Sequence, residues 1–163
     1  MEQSEAVQED RGHKEVVDSL LTDTFNSILR IEERALKTRL TEGLSIAEFH
    51  AIVAVGLHET NPMKVVAARL GVTLATLTAS MTKLEKKGYV DRVRSESDRR
   101  QVLVCLTSKG RKAFRVHEAF HKKMVDRALG ELTADEEVVF VRALGKVKAF
   151  FDREIEESYA PSA

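Results

Sequence analysis

The string His117-Glu118-Ala-Phe-His121 sets two imidazoles one helical turn apart with a carboxylate beside them. Those residue types at that spacing are how a zinc hydrolase holds its metal and its general base. Such an enzyme also needs a third ligand and a cleft, and the sequence after His121 lacks the H-x-x-G-x-x-H continuation. Glu136, Glu137 or Glu154 would have to supply that ligand, so a hydrolase is the remote reading and no catalytic residue is assigned. A larger constellation offers binding instead. Between Thr73 and Lys87, the residues Thr73, Ala75, Thr76, Thr78, Ala79 and Thr82 are small or hydroxylated, and Lys83, Lys86 and Lys87 are cationic. Small residues permit close approach to base edges, hydroxyls bond to bases or phosphates, and lysines pair with phosphates. Arg92, Arg94 and Asp98-Arg99-Arg100 follow directly. Base contacts are expected from Ala75, Thr76 and Ala79, and phosphate contacts from Lys83, Lys86, Lys87 and Arg92. The plainer alternative for the first stretch is a solvated amphipathic helix.

Charge distribution favours the binding reading. The chain has 26 basic and 26 acidic residues and a formal net charge of zero, which by itself argues against a polyanion partner. Yet residues 60–125 hold 15 Lys and Arg against 5 Asp and Glu, a local excess of +10 that the acidic flanks cancel. A basic segment between acidic ends is the electrostatic footprint of a nucleic-acid ligand. With 163 residues, 43% of them apolar, and only 2 Pro, the composition is that of a globular, helix-rich chain rather than a disordered one. The single cysteine, Cys105, cannot form an internal disulfide. The longest apolar run, Ala51 to Leu57, is far short of the roughly 20 residues of a spanning helix. The acidic, polar beginning of the sequence does not read as a secretory signal, so a cytoplasmic protein is expected.

The elements that must position these residues can be read from periodicity and caps. Residues 1–12 lack apolar periodicity and read as a flexible tail. From 13 to 40, Val17, Leu20, Leu21, Phe25, Ile28 and later apolar residues recur at helical steps. Ser45-Ile-Ala-Glu48 is a capping box that opens a second helix, expected to run to about His58. Asn61-Pro62 reads as the cap and first position of a short helix ending at Gly71. In the next helix Leu74, Leu77, Met81 and Leu84 share the core face, opposite the small and cationic residues. Two strands, 89–95 and 101–106, follow as a hairpin with a basic tip. Two more helices are expected, the second opened by the capping box Thr133-Ala-Asp-Glu136 and carrying the seam Phe140, Leu144, Val147, Phe151 and Ile155. The expected organisation is a DNA-binding unit over 41–110, a connecting helix over 111–129, a discontinuous dimerisation region over 13–40 and 130–158, and a short tail over 159–163.

Short helix, turn, recognition helix and basic hairpin together make a winged helix-turn-helix, mainly α with a small β-wing. Leu84-Glu-Lys-Lys-Gly-Tyr-Val90, Asp98-Arg-Arg100 and Leu106-Thr-Ser-Lys-Gly110 resemble the signature of MarR-type transcription regulators, and the likeness extends over about residues 14–157. That resemblance implies a homodimer with interlaced terminal helices, a roughly palindromic double-stranded DNA site, and a wing arginine, Arg99 or Arg100, in the minor groove positioned by Asp98. Further stretches resemble the FabT-like branch, which represses fatty-acid-synthesis genes: Ile28-Leu-Arg-Ile-Glu-Glu33, Leu74-Ala-Thr-Leu-Thr78, Gly88 to Arg100, and His117 to Val125. Membership of that branch implies a corepressor, a long-chain acyl group on acyl carrier protein. Leu21, Phe25, Ile28, Phe49, Ile52, Val53, Phe114 and Phe120 can line an apolar slot for it, although such residues are more often ordinary core. No cofactor is expected on this reading. The alternative is a zinc-responsive regulator, with His117, His121, His50 and Glu32 or Glu33 matching the ligands of MarR-type zinc sensors.

If each subunit neutralises roughly three to five phosphates, the logarithm of DNA affinity falls with the logarithm of salt with a slope of roughly −5 to −9 for a dimer. A flat salt response in a fluorescence-anisotropy titration would contradict the basic-face reading.

Overall fold

The computed structural model describes residues 2–36, 41, 43–94, 98 and 101–159. The chain forms two compact units, residues 1–120 and 121–163. In order, the elements are α1 (Glu2–Ala35), α2 (Ile46–Val55), β1 (Thr60–Pro62), α3 (Met63–Leu70), α4 (Leu74–Lys86), β2 (Val90–Arg94), β3 (Val102–Leu106), α5 (Ser108–Leu129) and α6 (Ala134–Tyr159). Helix α1 begins at Glu2, within the stretch expected to be a flexible tail. Acidic, helix-tolerant residues such as Glu2, Glu5 and Glu9 continue the turn without needing an apolar stripe.

Three strands form the sheet, not two. The antiparallel order is β1-β3-β2, with Thr60 opposite Cys105 and Pro62 opposite Leu103 on one side of β3, and Val90 opposite Leu106 on the other. Pro62 ends an edge strand, where its missing N–H is tolerated. Asn61 is therefore not the helix cap expected of it. Its Nδ2 donates to the Val55 carbonyl at 2.9 Å and to Glu59 at 2.6 Å, while α3 starts at Met63 with no side-chain cap. The capping box of α2 forms as expected: Glu48 N–H donates to Ser45 Oγ at 3.2 Å and Ser45 N–H to Glu48 Oε2 at 2.9 Å. Helix α2 ends at Val55, short of His58, because Gly56 adopts a φ of +90°.

One apolar core joins these elements. Phe49, Ile52 and Val55 of α2, Val66 of α3, and Leu77, Met81 and Leu84 of α4 pack with Tyr89, Val90, Val104, Leu106 and Ala113. Leu74, expected on the core face, is 43% exposed, because the first residue of α4 projects past the end of that core.

In the second unit, Thr133 and Glu136 close the capping box of α6, with Thr133 N–H donating to Glu136 Oε2 at 2.8 Å. Along α6, Phe140, Leu144, Val147, Phe151 and Ile155 are all exposed. The same holds on α1 for Val17, Leu20, Phe25, Leu29 and Ile31. No single described helix is long and apolar enough to cross a membrane.

Gly110, at the start of α5, is required by close approach: a Cβ there would lie 2.0 Å from the Tyr89 carbonyl oxygen, whereas one at Gly145 in α6 meets nothing within 4 Å. Gly110→Ala is expected to cost at least about 2 kcal/mol through overpacking, and Gly145→Ala to add about 0.5–1 kcal/mol through helix propensity. Denaturant melts of the two variants check both signs.

Candidate nucleic-acid interface

Helices α3 and α4 meet at a bend of 105°, within the range of a helix-turn-helix. The turn is made by Gly71, whose φ of +63° reverses the chain, and by Thr73, whose hydroxyl accepts the Thr76 N–H at 3.1 Å. Because Leu77, Met81 and Leu84 are fully buried, the opposite side of α4 faces outward. Thr73, Ala75, Thr76, Thr78, Ala79, Lys83 and Lys86 are exposed there, and Thr82 is half-buried. The Thr78 hydroxyl donates to the Leu74 carbonyl at 2.7 Å and that of Thr82 to the Thr78 carbonyl at 2.8 Å, which leaves their oxygens as acceptors. The surface is smooth near the amino end of α4 and cationic near its carboxyl end.

Two of the expected phosphate contacts are already engaged. Lys87 Nζ donates to the Gly43 carbonyl at 2.6 Å and to both Glu48 oxygens at 2.7 and 2.8 Å. Burial pushes the Glu48 carboxyl up, but the hydrogen bond from Lys87, that from the Ser45 backbone and the Lys87 charge outweigh it and hold the group below its ordinary value. Arg92 on β2 donates through Nε to Glu85 Oε2 at 2.9 Å and through a terminal nitrogen to Thr82 Oγ1 at 2.8 Å, so it ties the wing to α4. Arg94 is exposed at the end of β2, and Asp98 is exposed. Arg99 and Arg100 lie outside the described residues. A cleft of about 350 Å³ between α3, α4 and the wing is lined by Met63, Lys64, Leu74, Thr78, Arg92 and Asp98 among others. The pairings of Glu48 with Lys87, of Glu85 with Arg92 and of Glu59 with Arg69, the last at 3.1 Å, were not singled out by the sequence. Only the Ser45/Glu48 cap had a local signal there.

The eight residues expected to line an apolar slot are dispersed. Phe49 and Ile52 lie deep in the core, Ile28, Val53, Phe114 and Phe120 are half-buried, and Leu21 and Phe25 are exposed on α1.

The histidines fare differently. Glu32 of α1 is buried, and its Oε1 lies 2.9 Å from His117 Nε2 of α5 and 3.2 Å from His50 Nε2 of α2. One ligand atom from each of the three lies within 4.8 Å of the others. Glu33, the other acid considered, is exposed, and His121, in the second unit, does not belong to this group. The H-E-x-x-H string is thus divided: His117 turns inward to Glu32, while Glu118 is exposed.

Comparison with known proteins agrees with this geometry. Residues 36–116 match the family model described as transcriptional regulator SarA/Rot. Streptococcus pneumoniae FabT, solved in complex with DNA, is 38% identical with a TM-score of 0.82, covering 86% of this chain and 98% of that one. A mutant MarR from Escherichia coli, solved with operator DNA, is 26% identical with a TM-score of 0.59, covering 78% and 92%. The HTH-type transcriptional regulator YfiV of Bacillus subtilis is 34% identical over 94 residues, 57% of this chain, and the match spans 58% of that relative's own length.

Proposed function

This chain belongs to the MarR family of winged-helix, DNA-binding transcription regulators and not to a class of enzymes, and from that premise we propose a cytoplasmic homodimer that represses fatty-acid-biosynthesis genes from a pseudo-palindromic operator, with long-chain acyl-acyl carrier protein as corepressor. The observation that carries the DNA reading is the outward face of α4, small and hydroxylated at one end and cationic at the other, in a chain that covers 98% of a regulator solved with DNA. A helix of this kind enters the major groove, and two-fold symmetry sets two of them about one turn of duplex apart. Exposed apolar faces on α1 and, separately, on α6 support dimerisation, because such faces need a covering surface.

The choice of target genes rests on the resemblance to the FabT-like branch spread over the first helix, the recognition helix, the wing and α5. Half-buried Phe114 and Phe120 pack against the core and, with half-buried Ile28 and Val53, are the candidates to line a slot for an acyl chain. In chelator, binding to the organism's own fatty-acid-synthesis promoter is expected to tighten when long-chain acyl-acyl carrier protein is added, as read by fluorescence anisotropy. Unchanged affinity would remove the corepressor from this reading and leave the DNA contact standing.

A second reading has its own observation. Glu32, His50 and His117 offer a donor set that suits zinc: two imidazole nitrogens and one carboxylate oxygen within 4.8 Å of one another, two of the three residues buried. Zinc held there would draw α1, α2 and α5 together. On this reading the purified protein takes up about one zinc per subunit, measured by elemental analysis, and His117→Ala abolishes both the uptake and any zinc-dependent gain in DNA affinity. A metal-free protein whose DNA affinity ignores added zinc would rule it out.

A further inference from the structure

We propose that Lys87 and Glu48 form a positioning pair for DNA recognition, in which the Lys87 ammonium sets the recognition helix against α2 and does not contact phosphate. The inference rests on the DNA-binding reading above and concerns how the reading helix is held. Lys87 is the C-cap residue of α4. Its ammonium has three N–H donors, and the three oxygens around it, Gly43 O and the two carboxylate oxygens of Glu48, lie at 2.6 to 2.8 Å. Glu48 is only 7% exposed. Swinging Lys87 out to a phosphate would exchange one charge pair for another and leave a nearly buried carboxylate without its cation, a net loss. Lys83 and Lys86, exposed on the same helix, make no such ion pair among the described residues and supply phosphate contacts more readily.

The carboxyl end of α4 is gripped from a second side. Lys109 of α5 donates to the Lys87 carbonyl at 2.8 Å and lies over the Tyr89 ring at 4.2 Å. The recognition helix is therefore fixed at one end by the first turns of α2 and α5. These two helices also carry His50 and His117 to Glu32.

Positioning and phosphate contact have opposite signatures. Loss of a phosphate contact weakens all duplexes alike and makes the salt slope shallower by about 0.9 per contact, or about 2 per dimer. Loss of positioning lowers affinity for the selected sequence and spares non-specific binding. The test uses the full chain, a duplex that the wild-type protein selects from a random pool, and an unrelated duplex of equal length.

Lys87→Met and Glu48→Gln are each expected to weaken the selected duplex at least tenfold, with the unrelated duplex and the salt slope unchanged. The double variant should be no worse than either single one, and Lys87→Arg should restore most of the loss. Glu48→Gln is the sharper arm, because removing a negative charge near DNA strengthens binding unless the carboxylate acts through position. The proposal is overturned if Lys87→Met weakens both duplexes equally with a shallower slope, if Glu48→Gln binds as well as wild type or better, or if both duplexes fall together with the folded fraction seen by circular dichroism. A wild-type protein that selects no sequence would instead sink the DNA-binding reading, and this proposal with it.

Discussion

A buried carboxylate must be answered by donors, and the arrangement of the first unit turns on the answer given to Glu32. Of the residues of α1 whose burial is described, Glu32 alone is buried, followed just beyond the helix by Leu36. An uncompensated charge at that depth would cost several kcal/mol. His50 and His117 meet the same oxygen from α2 and α5, helices that come from chain segments 18 and 85 residues away. Their rings pack edge to face at a centroid distance of 5.7 Å, and Phe49 stacks on His117. A polar joint of three helices in place of a greasy one fixes their register, since an apolar contact tolerates sliding and a hydrogen-bonded carboxylate does not.

From that joint the DNA face follows by exclusion. Helices α2, α3 and α5 with the sheet enclose a core that receives one stripe of α4, the side chains of Leu77, Met81 and Leu84. The other side of α4 is left outside, and its small residues reduce its steric profile. Polar ties then set its angle: Lys87 to Glu48 at the carboxyl end, Arg92 to Glu85 and Thr82 across to the wing, and Thr73 at the amino end. Several of the charges that a count of basic residues assigns to DNA are thus spent within the fold. The net basic excess of the middle segment overstates the number of cations that meet phosphate.

Both terminal helices carry more exposed apolar surface than a monomer ordinarily presents. Phe25 and Ile31 on α1, and Phe140, Phe151 and Ile155 on α6, recur on helical steps and are each about half exposed or more. Helices of this kind are stabilised by what packs on them and not by propensity alone. In the proposed homodimer, subunit association and helix stability are coupled, which makes concentration a variable of folding as much as of DNA binding.

Local chemistry was legible in the sequence wherever a residue acts on near neighbours. Both capping boxes, the Gly71 turn, the two-faced recognition helix and the wing strands are set by interactions within a few residues, and each formed where the pattern put it. Resemblance to a family added two expectations, a dimer and an acyl ligand, that no short segment could supply by itself. What the sequence could not determine depends on distance along the chain. Strand β1 exists because β3, more than 40 residues later, offers it an edge, and Asn61-Pro62 by itself reads as a helix start. Of the histidine string, His117 went to an acid in the first helix and left Glu118 outside, since burial of Glu32 demanded a donor more strongly than local spacing demanded a metal pair. Lys87 looked like one more cation on a basic helix until the fold set a buried carboxylate against it. Charge, periodicity and capping are properties of short segments, whereas the partner of a buried or engaged charge is chosen by tertiary packing, because only packing decides which groups lose their water.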